Sequence, residues 1–261
     1  MKDFTTVVGL LLGLVAIVGG FVVEGGHPLS LVQFGAFLIV FGGTFAALFV
    51  QTPWPIFVDA LKMLGWLFRT PVSDPEEWIA KAVEWGRTAR REGLLALEIK
   101  IASETDPFVR KGLQLLVDGI EPERLREVLT TELEVLEEQF KVRAKVWESA
   151  GGYAPTIGII GAVLGLIHVM ENLADPAQLG SGIAVAFVAT IYGVYSANLL
   201  YIPISKKLLT YAAELILTRQ MLVEGFVGIA SGENPRLVEG MMRSFLPGSE
   251  SEAEPGSGAI G

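Results

Sequence analysis

Four windows of this 261-residue chain contain no Asp, Glu, Lys or Arg: residues 4–23, 29–50, 153–170 and 179–204. About 20 helical residues, rising ~1.5 Å each, cross the ~30 Å hydrocarbon core of a bilayer, and a helix satisfies its own backbone donors and acceptors there. One such window could be a buried helix of a soluble protein, but four in one chain predict four transmembrane helices. Composition agrees, since 51% of the residues are hydrophobic and the mean hydropathy is +0.49, more apolar than an ordinary soluble domain. The first run, Phe4 to Val23, is expected to be a span and not a secretory signal. It is long for a signal core, lacks a small-x-small cleavage site and is followed at once by a second apolar run.

Orientation follows from the basic residues. The connections 24–30 and 171–180 hold no Lys or Arg, whereas residues 51–150 hold 14 of the 20; the other six are Lys2 and five residues beyond Ile204. All positive charge therefore falls on one side, which the positive-inside rule makes cytoplasmic. The expected fold class is an all-α membrane protein with four transmembrane helices, a large helical cytoplasmic domain between spans two and three, and both termini cytoplasmic. Residues 1–50 form a first transmembrane hairpin, 51–150 the cytoplasmic helical domain, 151–204 a second hairpin, 205–246 a cytoplasmic helical tail and 247–261 a disordered, Gly, Ser, Glu and Pro rich end. Within 51–150, apolar residues recur at helical spacing, as in Leu113, Leu116, Val117 and Ile120. Ser73 or Asp74, with Glu76 and Glu77 behind it, marks a helix start. The stretch from Thr130 to Lys145 reads as a long helix running toward the third span.

Several function classes drop out. The chain has no cysteine, which removes disulfides, thiolate metal sites and cysteine nucleophiles. A net charge of −9 without a basic stripe gives no footprint for nucleic acid. No phosphate loop, no His-Glu-x-x-His and no buried acid pair is present, so neither an enzyme nor a bound cofactor is expected.

Spans three and four are rich in small residues. Gly158, Ala162 and Gly165 fall at i, i+4 and i+7, with Gly161 beside them and Pro155 one turn before; Ala186, Thr190, Gly193 and Ala197 repeat that spacing. Association in lipid depends on close packing, and small residues permit it. These faces either pack spans three and four together or receive a helix from another chain, and the spacing serves both. A cation relay through lipid normally needs an ionisable side chain, yet the interiors of the four spans supply none, and His168 lies near the outer end of its span. A carboxylate, if ions pass, must come from a partner helix. Thr190 and Thr156 are the polar groups left to line such a path, unless each hydroxyl bonds back to its own helix. Pro155 and Pro203 lie at matching depths next to the charged domain, as hinges or as plain boundary prolines.

The run Ala154-Pro-Thr-Ile-Gly-Ile-Ile-Gly-Ala-Val-Leu-Gly-Leu-Ile-His168, with Ala189-Thr-Ile-Tyr-Gly193, Tyr201-Ile-Pro203 and Arg90-Arg-Glu-Gly-Leu-Leu-Ala-Leu-Glu98, resembles the MotA/TolQ/ExbB family, on its flagellar stator, MotA-like branch. The resemblance covers nearly the whole chain. TolQ and ExbB chains have three spans and the N-terminus outside, so the derived topology favours the MotA-like branch; a TolQ or ExbB type energiser of an envelope process is the alternative. The resemblance implies a subunit that conducts ions with a MotB-like single-span partner, whose aspartate binds the ion, and turns ion-motive force into torque on the rotor. It implies a homopentamer around two partner copies, in the bacterial inner membrane at the flagellar basal body. By the same resemblance Pro155 and Pro203 couple ion passage to conformational change, Thr190 lines the channel, and Arg90 and Glu98 contact the rotor protein FliG. On one continuous helix these two charges would be offset by about 80°. Ala162 stands where sodium-driven relatives usually carry a hydroxyl residue, which favours H+ over Na+ as the transported ion. A sodium path through Thr190, backbone carbonyls and the partner's carboxylate stays open.

Overall fold

The computed structural model describes residues 4–71, 74–173 and 176–246, and every regular element among them is helical. Ser73 and the C-terminal stretch 247–261 lie outside the described residues. The helices are α1 Thr5–Val23, α2 Phe34–Phe37, α3 Gly43–Gln51, α4 Trp54–Met63, α5 Pro75–Glu92, α6 Glu98–Ser103, α7 Pro107–Val117, α8 Pro122–Glu171, α9 Pro176–Tyr195, α10 Ile202–Ala230 and α11 Pro235–Arg243. A π turn, Leu38–Gly42, joins α2 to α3, and a second, Ser196–Tyr201, joins α9 to α10. Four helical stretches are long and apolar enough to cross a membrane: Thr5–Val23, Pro28–Gln51, and parts of Pro122–Glu171 and Leu179–Ala230. The chain divides into two compact units, residues 1–70 with 139–211 and residues 71–138 with 212–261.

The first unit holds the apolar stretches. Nothing of α1 is buried, and Val8, Leu11, Leu12 and Val15 are all exposed, as befits a helix whose surroundings are lipid or another chain. Span two is held to α9 through a small cluster of Ala36, Val40, Val188 and Ala189. At its start the Tyr192 hydroxyl donates to the Leu31 carbonyl (2.6 Å) and accepts from the Gln33 N–H (3.3 Å), which fixes the turn Pro28–Leu31. At the other end of span two sits an aromatic group. Phe49 meets Phe57 edge-on at 4.9 Å, Trp54 stacks on Phe57 at 6.0 Å, and the buried Trp147 indole donates to the Ala60 carbonyl at 3.2 Å. Aromatic rings with one polar handle are the residues a bilayer boundary favours. Asp59, on α4, accepts from Lys62 (3.1 Å) and lies 3.4 Å from Arg143; the Lys62 hydrogen bond, ahead of the two cations' charge, holds its carboxyl below the usual range.

The second unit is built on an apolar core with ion pairs around it. Helix α5 begins where the sequence places it, because the Asp74 carboxylate accepts from the Glu76 N–H at 3.0 Å. Asp106 caps α7 by accepting from the N–H groups of Phe108 (2.8 Å) and Val109 (3.4 Å), and Asn234 caps α11. The Phe226 ring stacks on Trp85 at 5.9 Å and also lies against Gly112, where any Cβ would overlap the ring. Arg126 of α8 forms a two-pronged pair with Glu224 of α10, and Arg219 lies 3.6 Å from Asp106 with its guanidinium over the Phe108 ring.

Gly112→Ala should therefore overpack this core. The expected cost is about 1–3 kcal/mol, read as a lowered unfolding midpoint of the purified protein in detergent or nanodiscs; an unchanged midpoint would contradict the packing described.

Candidate functional site

Spans three and four approach until backbone meets backbone. A Cβ on Gly158 would lie 2.9 Å from the Ala189 carbonyl and 3.3 Å from the Gly193 Cα; one on Gly193 would lie 2.5 Å from the Ala154 carbonyl. One on Gly165 would meet the Ala186 N–H nitrogen at 2.8 Å and the Gly182 carbonyl at 2.9 Å, and one on Gly161 would meet the Ala189 Cβ at 2.7 Å. No side chain fits in such spaces, and this is why the segments carry glycine. Of the two uses that the sequence left open for its small faces, the described seam takes the first, packing α8 on α9. Gly161 sits at its centre, and Ala162 stands half-buried beside it; on α9, Ala189 takes the buried place and Thr190 the half-buried one. Spacings of i, i+3, i+7 and i, i+4, i+7 both approximate a 3.6-residue period, so residue pattern alone does not separate them.

The hydroxyls bond to their own helix. Thr156 donates to the Tyr153 carbonyl at 2.8 Å and is exposed; Thr190 donates to the Ala186 carbonyl at 3.3 Å. A hydroxyl donating this way keeps its oxygen lone pairs as acceptors for water or a cation. Thr190 also stands in the seam through its backbone, its Cα 3.5 Å from where a Gly158 Cβ would be. His168 is exposed and its ring nitrogen lies 3.4 Å from the Asn172 amide, at the far end of α8.

Pro155 lies inside α8, and Pro203 is the second residue of α10, directly after the π turn Ser196–Tyr201. Each proline removes one N–H donor from its helix, so Pro155 leaves the Gly151 carbonyl without its ordinary partner. The wide turn before Pro203 is the kind of adjustment that a missing donor produces. The two places are neighbours, since a Cβ on Gly151 would lie 2.5 Å from Ile202 Cγ1. One further tie holds them, the buried Ser205 hydroxyl donating to the Ala144 carbonyl at 2.9 Å. Neither π turn, nor Ser205, nor Gly182 was signalled by the residue pattern; Gly182 is legible afterwards as part of Gly180-Ser-Gly182, a small-residue run at the start of the span.

Arg90 and Glu98 are both exposed and do not share a helix. Arg90 lies in the last turn of α5, the chain turns at Gly93 (φ +85°, ψ 164°), passes through a 3₁₀ turn, Leu94–Leu97, and Glu98 opens α6. The offset of about 80° assumed one continuous helix and does not apply, because Gly93 takes a left-handed conformation that ends α5.

Known proteins agree with this architecture. Residues 7–93 match the motility protein A N-terminal family, and residues 100–221 match the MotA/TolQ/ExbB proton channel family. Motility protein A of Bacillus subtilis is 34% identical over 253 residues, covering 95% of this chain and 92% of its own. Among solved structures, the C. jejuni MotAB structure has a TM-score of 0.88 at 35% identity, covering 97% of this chain and 98% of the matched one. The flagellar MotAB stator complex from Bacillus subtilis has a TM-score of 0.87 at 33% identity, covering 97% and 100%.

The seam can be probed by filling it. Gly158→Ala or Gly193→Ala should push the two spans apart and lower the unfolding midpoint of the purified protein, whereas Gly152→Ala, whose added Cβ meets nothing within 4 Å, should not. Equal midpoints in all three variants would contradict the close approach described.

Proposed function

The chain belongs to the MotA/TolQ/ExbB proton channel family, and on that premise we propose that it is a stator subunit of a flagellar motor, passing ions with a single-span partner and converting the flow into torque. The observation that carries this reading is the likeness over 97% of the chain to solved MotAB structures, at 33–35% identity. An energiser of the TolQ or ExbB type is not favoured, since relatives matched over nearly their whole length in Bacillus subtilis and Helicobacter pylori are motility proteins. The chain works as a multi-pass membrane protein in an oligomeric assembly with a MotB-like partner. Five copies of this chain around two partners, seated in the inner membrane with both termini in the cytoplasm, is our finer reading.

The ion chemistry follows from what the spans lack. No carboxylate lies within the four apolar windows, so the ion-binding group is the partner's aspartate, and this chain supplies the wall around it. Thr156, Ala162 and Thr190 line the path. Ala162 offers no oxygen, and the passing ion is therefore H+ ahead of Na+, because a sodium site needs several oxygen ligands in fixed places. Pro155 and Pro203 are the coupling points: each removes a helix hydrogen bond, and their helices α8 and α10 continue in sequence into the second compact unit. Arg90 and Glu98, exposed on that unit, meet FliG on the rotor, where rim charges set orientation and encounter more than affinity.

Three outcomes test the reading. Pro155→Leu and Pro203→Leu should insert in the membrane and keep the partner bound, yet abolish rotation of tethered cells; normal rotation in both would remove the coupling role. Replacing external Na+ by K+ at constant pH should leave rotation speed unchanged, and arrest would overturn the proton assignment. Arg90→Glu should impair torque and recover in part with a charge reversal on the rotor protein; no recovery at any acidic rotor position would sink the contact.

A further inference from the structure

Leu95 and Ile99 are the most exposed large hydrophobic side chains of the second unit's described residues, at 72% and 79% of full exposure. They are four residues apart on consecutive helical turns, Leu95 in the 3₁₀ turn Leu94–Leu97 and Ile99 in α6, and both stand exposed. The backbone beneath them is firmly held. Leu97 is fully buried, the Gly93 N–H donates to the Ala89 carbonyl at 2.9 Å, the Ala96 N–H donates to the Gly93 carbonyl at 3.2 Å, and Lys100 pairs with Glu84 at 2.6 Å. Two large apolar groups are thus displayed on an anchored turn, with Arg90, Arg91 and Glu98 exposed around them.

Exposed charges alone bind weakly, because water and salt screen them. Interfaces combine such a charged rim with a desolvated apolar centre that carries the affinity. This turn shows both parts. Resting on the rotor-contact reading of Arg90 and Glu98, we infer that Leu95 and Ile99 are the apolar anchor of that contact. The surface they fit is a helix of the rotor protein that presents two apolar side chains one turn apart, with an acidic residue toward Arg90 and a basic one toward Glu98. The charges then set orientation, and the apolar pair sets how long a docked stator stays.

The test uses the full chain co-expressed with its single-span partner, fluorescently tagged, in motile cells. The double variant Leu95→Ser, Ile99→Ser should reduce docked stators per motor and their dwell time by tenfold or more, each apolar side chain that no longer leaves water being worth about a factor of ten when fully buried. The purified complex should keep its size and its ion flux, and Leu95→Met with Ile99→Leu should dock almost normally. Unchanged docking of the serine variant, while Arg90→Glu and Glu98→Lys do reduce it, would overturn the anchor and leave the rotor contact standing. Unchanged docking in the serine and charge variants alike would overturn both. A serine variant whose complex falls apart would place the patch between copies of this chain and overturn the anchor as well.

Discussion

Everything in the membrane part of this protein depends on bare backbone meeting bare backbone between α8 and α9. Lipid offers helices no hydrophobic reason to associate, so van der Waals contact at short range has to do it, and that contact requires that no side chain intervene. Gly193 against Gly158 and the Ala154 carbonyl, and Gly165 against Ala186 and Gly182, meet that requirement over about three turns. The same requirement empties the seam of functional groups. A surface selected for glycine and alanine has no room for a carboxylate, and this is the physical reason that none stands in the seam.

The four spans were legible because charge is excluded from a bilayer core, and the absence of Asp, Glu, Lys and Arg is visible residue by residue. Their ends were not. The window 153–170 is the last part of a 50-residue helix that starts at Pro122, and the window from Leu179 runs on helically to Ala230. Helical hydrogen bonding is indifferent to whether the side chains are charged, so hydropathy marks where the membrane is and not where the helix stops. The expected helix from Thr130 to Lys145 toward the third span was the readable trace of that continuity. The two π turns left no trace, since a single extra residue in a turn changes no composition. At Arg90 and Glu98 the glycine between them was visible but its conformation was not; Gly93 at φ +85° separates two helices, so the offset that one continuous helix would give does not arise.

The second unit shows how charge is divided between holding and meeting. Arg126 with Glu224, Arg219 with Asp106, and Lys81 with Glu104 connect elements distant in sequence, and they lie on partly buried surface. Arg90 and Glu98 appear in none of the unit's observed ion pairs and stand exposed. Charges that neighbours already engage serve the fold, and the exposed pair is what the proposed rotor contact draws on. In the first unit, Pro155 and Pro203 are set close to where Gly151 packs on Ile202 and Ser205 reaches Ala144.

The most direct test of a stator role is the rotation of tethered cells stripped of every stator gene of their own and supplied with this chain and its single-span partner. The account predicts that these cells, which build filaments but do not turn, regain rotation only when both chains are present, and lose it again when the partner's membrane aspartate becomes asparagine. Rotation that returns without the partner, or that survives loss of the aspartate, would contradict the claim that this chain is the wall of an ion path completed from outside.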